Sequence, residues 1–225
     1  MEKQALILFG SAGINIAEYY RQQFTRPIPI VLFETHKTDY QAERGAKIIE
    51  AAIHWKNEQK STHVIESAAE LTANYFQNIP DYMHGEKGEM LFFTTAEEQF
   101  GNSNFEKTLM RAELYEQEMK QILKNYKSIV IIACLGGAVS SAVAPYVANL
   151  AHKLHIDTKV IATMPAKFEG KKRLAQAQRG LDLLHKNGPV TQVKIDPESE
   201  DLIRYFKMKD EAIVNAIEKL LRNEQ

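Results

Sequence analysis

Short apolar runs alternate with longer amphipathic stretches along most of this chain. ALILF (5–9) ends at Gly10, and IPIVLF (28–33), EMLFFTT (89–95), SIVIIACL (128–135), residues 158–163 and VTQVKI (190–195) follow it. Apolar runs of this length, bounded by turn formers, predict strands. The strongest is 128–135, which carries Ile129, Val130, Ile131 and Ile132 in succession and so fits a pleated, buried surface. Helical spacing of apolar positions predicts helices over roughly 14–25, 104–124, 139–154, 170–186 and 205–222. The fourth of these stops at Asn187-Gly188-Pro189, where glycine and proline end a helix. The fifth carries Phe206, Ile213, Ile217, Leu220 and Leu221 near one stripe, the mark of an amphipathic helix. The stretch 41–87 is polar and mostly helical in pattern, with a turn near NIPD. Strands that are apolar throughout are buried on both faces. Their alternation with helices predicts an α/β fold, a mostly parallel Rossmann-like sheet with helices on both faces. No repeat, low-complexity run or linker interrupts it, so residues 1–225 read as one domain.

Composition narrows the picture by exclusion. The chain has 225 residues, 44% hydrophobic and 25% charged, with 28 basic and 29 acidic side chains and a net charge of −1. This balance carries no footprint for nucleic acid. Lys171, Lys172 and Arg173 form the one tight basic cluster. Cys134 is the single cysteine, so no internal disulfide forms and a reducing, cytoplasmic setting is expected. No apolar run approaches the ~20 residues of a membrane-spanning helix, so no membrane insertion is expected. Seven scattered histidines lack zinc-site spacing, and no Gly-x-Ser-x-Gly elbow makes Ser140 or Ser141 a nucleophile. Cys134, at a strand end, reads as a small core residue rather than a reactive thiol.

In a parallel sheet covered on both faces, ligands sit beyond the carboxyl ends of the strands, which directs attention to the loops after each strand. The first, Gly10-Ser11-Ala12-Gly13, is small enough to let backbone approach a phosphate at a helix N-terminus; a tight turn without a ligand also favours glycine. Thr38 and Asp39 either cap the next helix or lie near a phosphate-held metal. Gly101, Asn102 and Ser103 form a polar turn before Asn104, which caps the following helix. Gly136 to Ala142 join the strongest strand to a helix. Glu169 and Arg173 are four apart on one helix face, as a surface ion pair or as a carboxylate and guanidinium aimed at a ribose.

Two longer stretches gather these loops together. ACLGGAVSSAVAPYVANLAHKL and MPAKFEGKKRLAQAQRGLDLL resemble the GTPase domain of FtsZ, the bacterial division protein, and of its relative tubulin. The family signature Gly-Gly-Gly-Thr-Gly-Thr/Ser-Gly is similar to Gly136-Gly137-Ala138-Val139-Ser140-Ser141-Ala142. The Pro-Phe-x-Phe-Glu-Gly-x-x-Arg segment resembles Pro165 to Arg173, with Glu169 and Arg173 in its charged positions. GSAGINIA resembles the family's first loop, ending in Asn15, and KTDYQA resembles Asn-Thr-Asp-x-Gln with Lys37 in place of Asn. Gly101 to Asn104 resemble the third phosphate loop. The last helix resembles the family's central helix, which implies Phe206 stacking on guanine and Glu211 in the slot of an Asp that bonds its N1 and N2 edge. The resemblance covers roughly residues 4–222, densely from 128 to 187 and loosely from 41 to 100. It implies GTP or GDP as ligand, with Mg²⁺ only alongside the nucleotide.

Two departures from the family shape the expected function. Four of the seven signature positions differ, at Ala138, Val139, Ser140 and Ala142. An added Cβ closes space near a phosphate, and any position that needs positive φ becomes strained. Ser11 and Ile14 replace glycine in the first loop. The chain also stops within or just after the central helix, before the second domain and the synergy loop that positions the attacking water in FtsZ. The expectation is a degenerate guanine-nucleotide site on a non-hydrolysing interaction or regulatory protein. Its partner would be a full-length FtsZ-like chain or a second copy. The alternatives are a GTP-binding switch or weak GTPase, and an α/β enzyme for another nucleotide or phosphorylated substrate.

Overall fold

The computed structural model describes residues 4–23, 28–34, 63–66, 88–92, 104–195 and 202–222. Seven strands form one sheet: β1 (Gln4–Phe9), β2 (Ile30–Glu34), β3 (His63–Glu66), β4 (Gly88–Phe92), β5 (Ser128–Cys134), β6 (Asp157–Thr163) and β7 (Val190–Gln192). Their order is β3-β4-β2-β1-β5-β6-β7, and every pairing is parallel. Among the described residues six α-helices accompany them: α1 (Gly10–Gln23), α2 (Phe105–Leu114), α3 (Glu116–Leu123), α4 (Ala138–Lys153), α5 (Lys171–Asn187) and α6 (Leu202–Arg222). The expected parallel α/β architecture is the one observed.

The strand period of two sorts the core into two layers. Leu6 and Leu8 of β1, with Val130, Ile132 and Cys134 of β5, pack with Ile16, Ala17 and Tyr20 of α1 and Ile213, Val214 and Ile217 of α6. Ala5, Ile7 and Phe9, with Ile129, Ile131 and Ala133, face the opposite way, against α2 to α5. Helices on both faces leave no solvated side, which is why the strands carry no polar alternation. Gly180 of α5 lets two helix backbones meet: a Cβ there would lie 2.7 Å from the Ser141 carbonyl oxygen of α4.

Chain direction through the sheet reverses between β1 and β5. From β1 the chain runs outward through β2, and from β5 it runs the other way through β6 and β7. Loops leaving these two central strands diverge, and the crevice between them is where parallel α/β sheets hold ligands.

Three elements differ from the periodicity-based expectation. The first helix begins at Gly10 rather than 14, directly at the strand end. Residues 63–66 form β3 inside a stretch whose pattern read as helical; four residues are too few for period to separate strand from helix. The long helix expected over 104–124 breaks at Tyr115, whose N–H bonds back to the Ala112 carbonyl at 3.1 Å. Buried Ala112 and Met119 lie seven residues apart, two helical turns, so the apolar pattern runs through the break without a sign of it.

Candidate nucleotide site

The loop leaving β5 is held open by backbone conformation. Gly136 has φ +109°, and a Cβ on it would meet the Pro165 ring at 3.2 Å. Gly137 follows in an extended conformation as the N-cap of α4, and no side chain caps that terminus. The first intrahelical bond is Ser141 N–H to the Gly137 carbonyl at 3.0 Å. The N–H groups of Ala138, Val139 and Ser140 therefore precede the ladder and point out of the helix end, as the first N–H groups of any α-helix do. Sixteen residues of α4 add their dipole behind them. Gly10, at the matching position after β1, has φ +64°.

The expected strain from lost glycines does not occur. Among the described residues, positive φ is found at Gly10, Gly136, Gly170, Gly188 and, outside glycine, at His155. Ala138, Val139, Ser140 and Ala142 all lie inside α4, where a Cβ fits ordinary helical geometry. The two positions of these loops that need glycine have kept it. The serines are turned inward instead. Ser141 Oγ accepts from Gly136 N–H at 2.9 Å, and Ser140 donates to the Phe9 carbonyl at 3.4 Å. Both side chains are buried. Gln176 of α5 donates to the Gly136 carbonyl at 3.0 Å, tying the loop from its far side.

The loop after β6 carries Pro165 and Glu169, and Arg173 lies in the first turn of α5. Glu169 accepts from Ala166 N–H at 2.9 Å and pairs with Arg173 at 3.1 Å; its side chain is 6% exposed, that of Arg173 54%. Glu169 thus fixes the turn, and the Arg173 head stays open to solvent. A cleft of about 330 Å³ lies beside this loop, lined by Asn104, Phe105, Glu106, Lys172, Gln176 and Arg179. Asn104 caps α2, its Oδ1 accepting from Lys107 N–H at 3.2 Å.

The N-terminal half of α6 closes the crevice. Buried Tyr205 meets Phe168 edge-on at 5.2 Å and Phe206 at 5.3 Å, which leaves the Phe206 ring 44% exposed. Burial raises the Tyr19 hydroxyl of α1, and the nearby Glu211 and Asp210 carboxylates raise it further. Burial pushes Asp210 up to about 6, with the Lys209 ammonium pulling the other way. Its charge acts on Tyr19 of α1 and on Cys134 at the end of β5. The sequence reading missed Asp210, although it lies four residues, one helical turn, beyond Phe206. Ala12 and Asn15 are exposed on α1, and Gly13 is packed so closely that a Cβ on it would lie 3.0 Å from both Leu8 and Leu32. Ser11 falls within α1. Thr38, Asp39, Gly101, Asn102 and Ser103 lie outside the described residues.

Asp210 gives a stability test with a defined sign. A carboxyl raised from 3.8 to about 6 favours its protonated form in the folded state. Stability therefore falls as pH rises from 3.8 through 6 and stays reduced above it. After discounting for partial solvent screening, Asp210→Asn is expected to gain about 1 kcal/mol at pH 7.5, or about 2–4 °C in melting temperature. At pH 4 the gain should vanish. Equal melting temperatures of the two proteins at both pH values would refute the burial of this carboxyl.

Glycine-hinged loops at the switch point, an uncapped helix N-terminus and an aromatic and acidic helix beside them define the class: an α/β nucleotide-binding fold. The Tubulin/FtsZ family, GTPase domain, matches residues 4–193, and the chain belongs to that family. The cell division protein FtsZ of Buchnera aphidicola is 37% identical over 75 residues, 33% of this chain and 20% of that relative. An empty FtsZ dimer from M. jannaschii superposes with a TM-score of 0.68 at 19% identity, covering 98% of this chain and 54% of that one. A GDP-bound monomer of CetZ1 from Haloferax volcanii gives a TM-score of 0.60 at 14% identity, covering 95% and 58%. The chain thus spans about half the length of these solved relatives. Among the described residues no group of side chains is arranged to hold a metal by itself, and no helix is long and apolar enough to cross a membrane.

Proposed function

We propose that this chain binds a guanine nucleotide in the crevice between β1 and β5 and does not turn it over by itself. The uncapped N-terminus of α4, hinged on Gly136, carries this reading. Three backbone N–H groups and the helix dipole suit a phosphate there without any side chain, and the open Arg173 head stands in the first turn of α5. Phe206 offers a ring to the base, and Asp210 offers its carboxylate to adjacent N–H donors. The lack of turnover is supported by the serines. Ser140 and Ser141 are buried and turned inward and Val139 lacks a hydroxyl, so this loop presents no exposed hydroxyl to Mg²⁺ or a water. A protein that holds nucleotide without consuming it acts through association, here with a full-length FtsZ-like chain or with a second copy of itself, in the cytoplasm.

Titration of the nucleotide-stripped protein with GTP, GDP and ATP in Mg²⁺, followed calorimetrically, tests the first part. Micromolar affinity for GTP and GDP and none for ATP is expected. Phosphate release tests the second: sustained GTP turnover by the protein alone would replace this reading with that of a small GTPase.

A further inference from the structure

Gly136 and Gly137 are adjacent, and the peptide between them is the hinge of the loop after β5. Glycine takes positive and negative φ about equally well, so a peptide flanked by two glycines has no preferred face of its own. Gly136 nonetheless sits at φ +109° and Gly137 at φ −78°. Two side chains hold the hinge. Ser141 Oγ, from the first turn of α4, accepts from Gly136 N–H at 2.9 Å and fixes the peptide before Gly136. Gln176 Nε2 on α5, 40 residues along the chain, donates to the Gly136 carbonyl at 3.0 Å and fixes the peptide after it. A trans peptide carries its C=O and N–H on opposite sides, and none among the described residues is cis. With the Gly136 carbonyl turned to α5, the Gly137 N–H points away from α5. That helix joins β6 to β7, and β1 lies on the other side of β5. The N–H is thus turned to the β1 side, where Ser140 of the same turn reaches the Phe9 carbonyl. A flipped peptide would aim a carbonyl oxygen there instead of a donor. The seat of α5 does not depend on Gln176. About one turn further on, Arg179 pairs with Glu106 of α2 and lies over the Phe105 ring at 3.9 Å, and Gly180 packs on the Ser141 backbone. Gln176 itself is half-buried, at the wall of the cleft between α5 and α2.

We infer that Gln176 is a positioning residue of the phosphate loop: its amide holds the Gly136 carbonyl back on α5 and so presents the Gly137 N–H, beside the open N–H groups of α4, to a phosphate. This deepens the proposed function and rests on it. Apparent affinity scales with the fraction of the protein in the binding-competent conformation. Without the Gln176 bond, the two glycines let the flipped peptide fill. A competent fraction of about a tenth lowers affinity about tenfold. The loss falls on the phosphates alone, because the base is met by Phe206 and Asp210 on a different helix.

Gln176→Met tests this, since it keeps the length of the side chain and removes the donor. The ligands are GTP, GDP, pyrophosphate and phosphate-free guanosine, each with Mg²⁺. GTP, GDP and pyrophosphate are each expected to bind about tenfold more weakly to the variant, and guanosine to bind as before. The melting temperature should fall by no more than about 4 °C, the loss of one hydrogen bond at the wall of an open cleft. Unchanged affinity for GTP and pyrophosphate would overturn the inference. So would equal losses for GTP and guanosine with a larger fall in melting temperature, which would make Gln176 a packing residue. The bond has its own readout without any ligand. In protein labelled with carbon-13, the Gly136 carbonyl signal should move upfield in Gln176→Met, and an unmoved signal would remove the bond itself. Failure of the unaltered protein to bind GTP, GDP or pyrophosphate, with the carbonyl shift present, would instead refute the proposed function and take the positioning role with it.

Discussion

Replacing Gly137 with aspartate should make the protein more stable and nucleotide-free. Gly137 is the N-cap of α4, already extended at φ −78° and ψ 151°, with nothing within 4 Å of a Cβ built on it. An aspartate carboxylate there accepts from the open N–H groups of the first turn and meets the positive end of the helix dipole. Together these are worth about 0.5–1 kcal/mol, a rise of about 2 °C in melting temperature for a chain of this size. The same carboxylate occupies the ground a phosphate needs, and a like charge set against an anion costs several kcal/mol. GTP affinity is expected to fall by about 100-fold or more. Gly137→Asn separates the two causes, since it caps as well without the charge; an intermediate loss of about tenfold is expected. Calorimetry and thermal melts on the three proteins decide the matter. Unchanged GTP binding in the aspartate variant would move the phosphates away from α4.

Gly180→Ala should lower stability by about 2 kcal/mol, although alanine is the better helix former. The new Cβ would lie 2.7 Å from the Ser141 carbonyl oxygen and 2.9 Å from its Cα. Both are backbone atoms of a buried helix, so no side chain can swing aside, and α4 and α5 must move apart. Overpacking of this kind costs about 1–3 kcal/mol or somewhat more, against about 1 kcal/mol returned by helix propensity. The melting temperature should drop by about 4–8 °C. GTP affinity should fall with it, because Ser141 also holds the Gly136 N–H at 2.9 Å and its displacement disturbs the phosphate loop. A melting temperature that rises would mean propensity prevails and the two helices have slack.

How much of this was legible beforehand depended on the kind of signal. SIVIIACL announced β5 because four β-branched residues in a row have no comfortable alternative, and Asn187-Gly188-Pro189 announced the end of α5. The break at Tyr115 was invisible, because buried Ala112 and Met119 keep the helical period across it. At the site, the glycine-poor loop GGAVSSA suggested strain at four positions. The backbone shows that only its first residue needs positive φ, and that residue is still glycine. A one-dimensional motif counts glycines without knowing which of them carry an unusual dihedral. Glu211 and Asp210 are the same lesson on a helix: adjacent in sequence, they point about 100° apart, and burial pushes Asp210 up to about 6.

The amino-acid sequence by itself determined the architecture. Apolar strands alternating with amphipathic helices have one economical burial, a parallel sheet between two helical layers, and chirality and connection rules then leave few orders of strands. It also determined where to look, because the glycine-rich turns mark the strand ends. What the tertiary structure alone decided is which groups those turns leave free. The Ser140 bond to the Phe9 carbonyl, the hold of Gln176 on the Gly136 carbonyl and the half-burial of Asp210 all depend on groups brought in from distant segments. Burial and hydrogen bonding are properties of the assembled neighbourhood, and no residue carries them in its own letter.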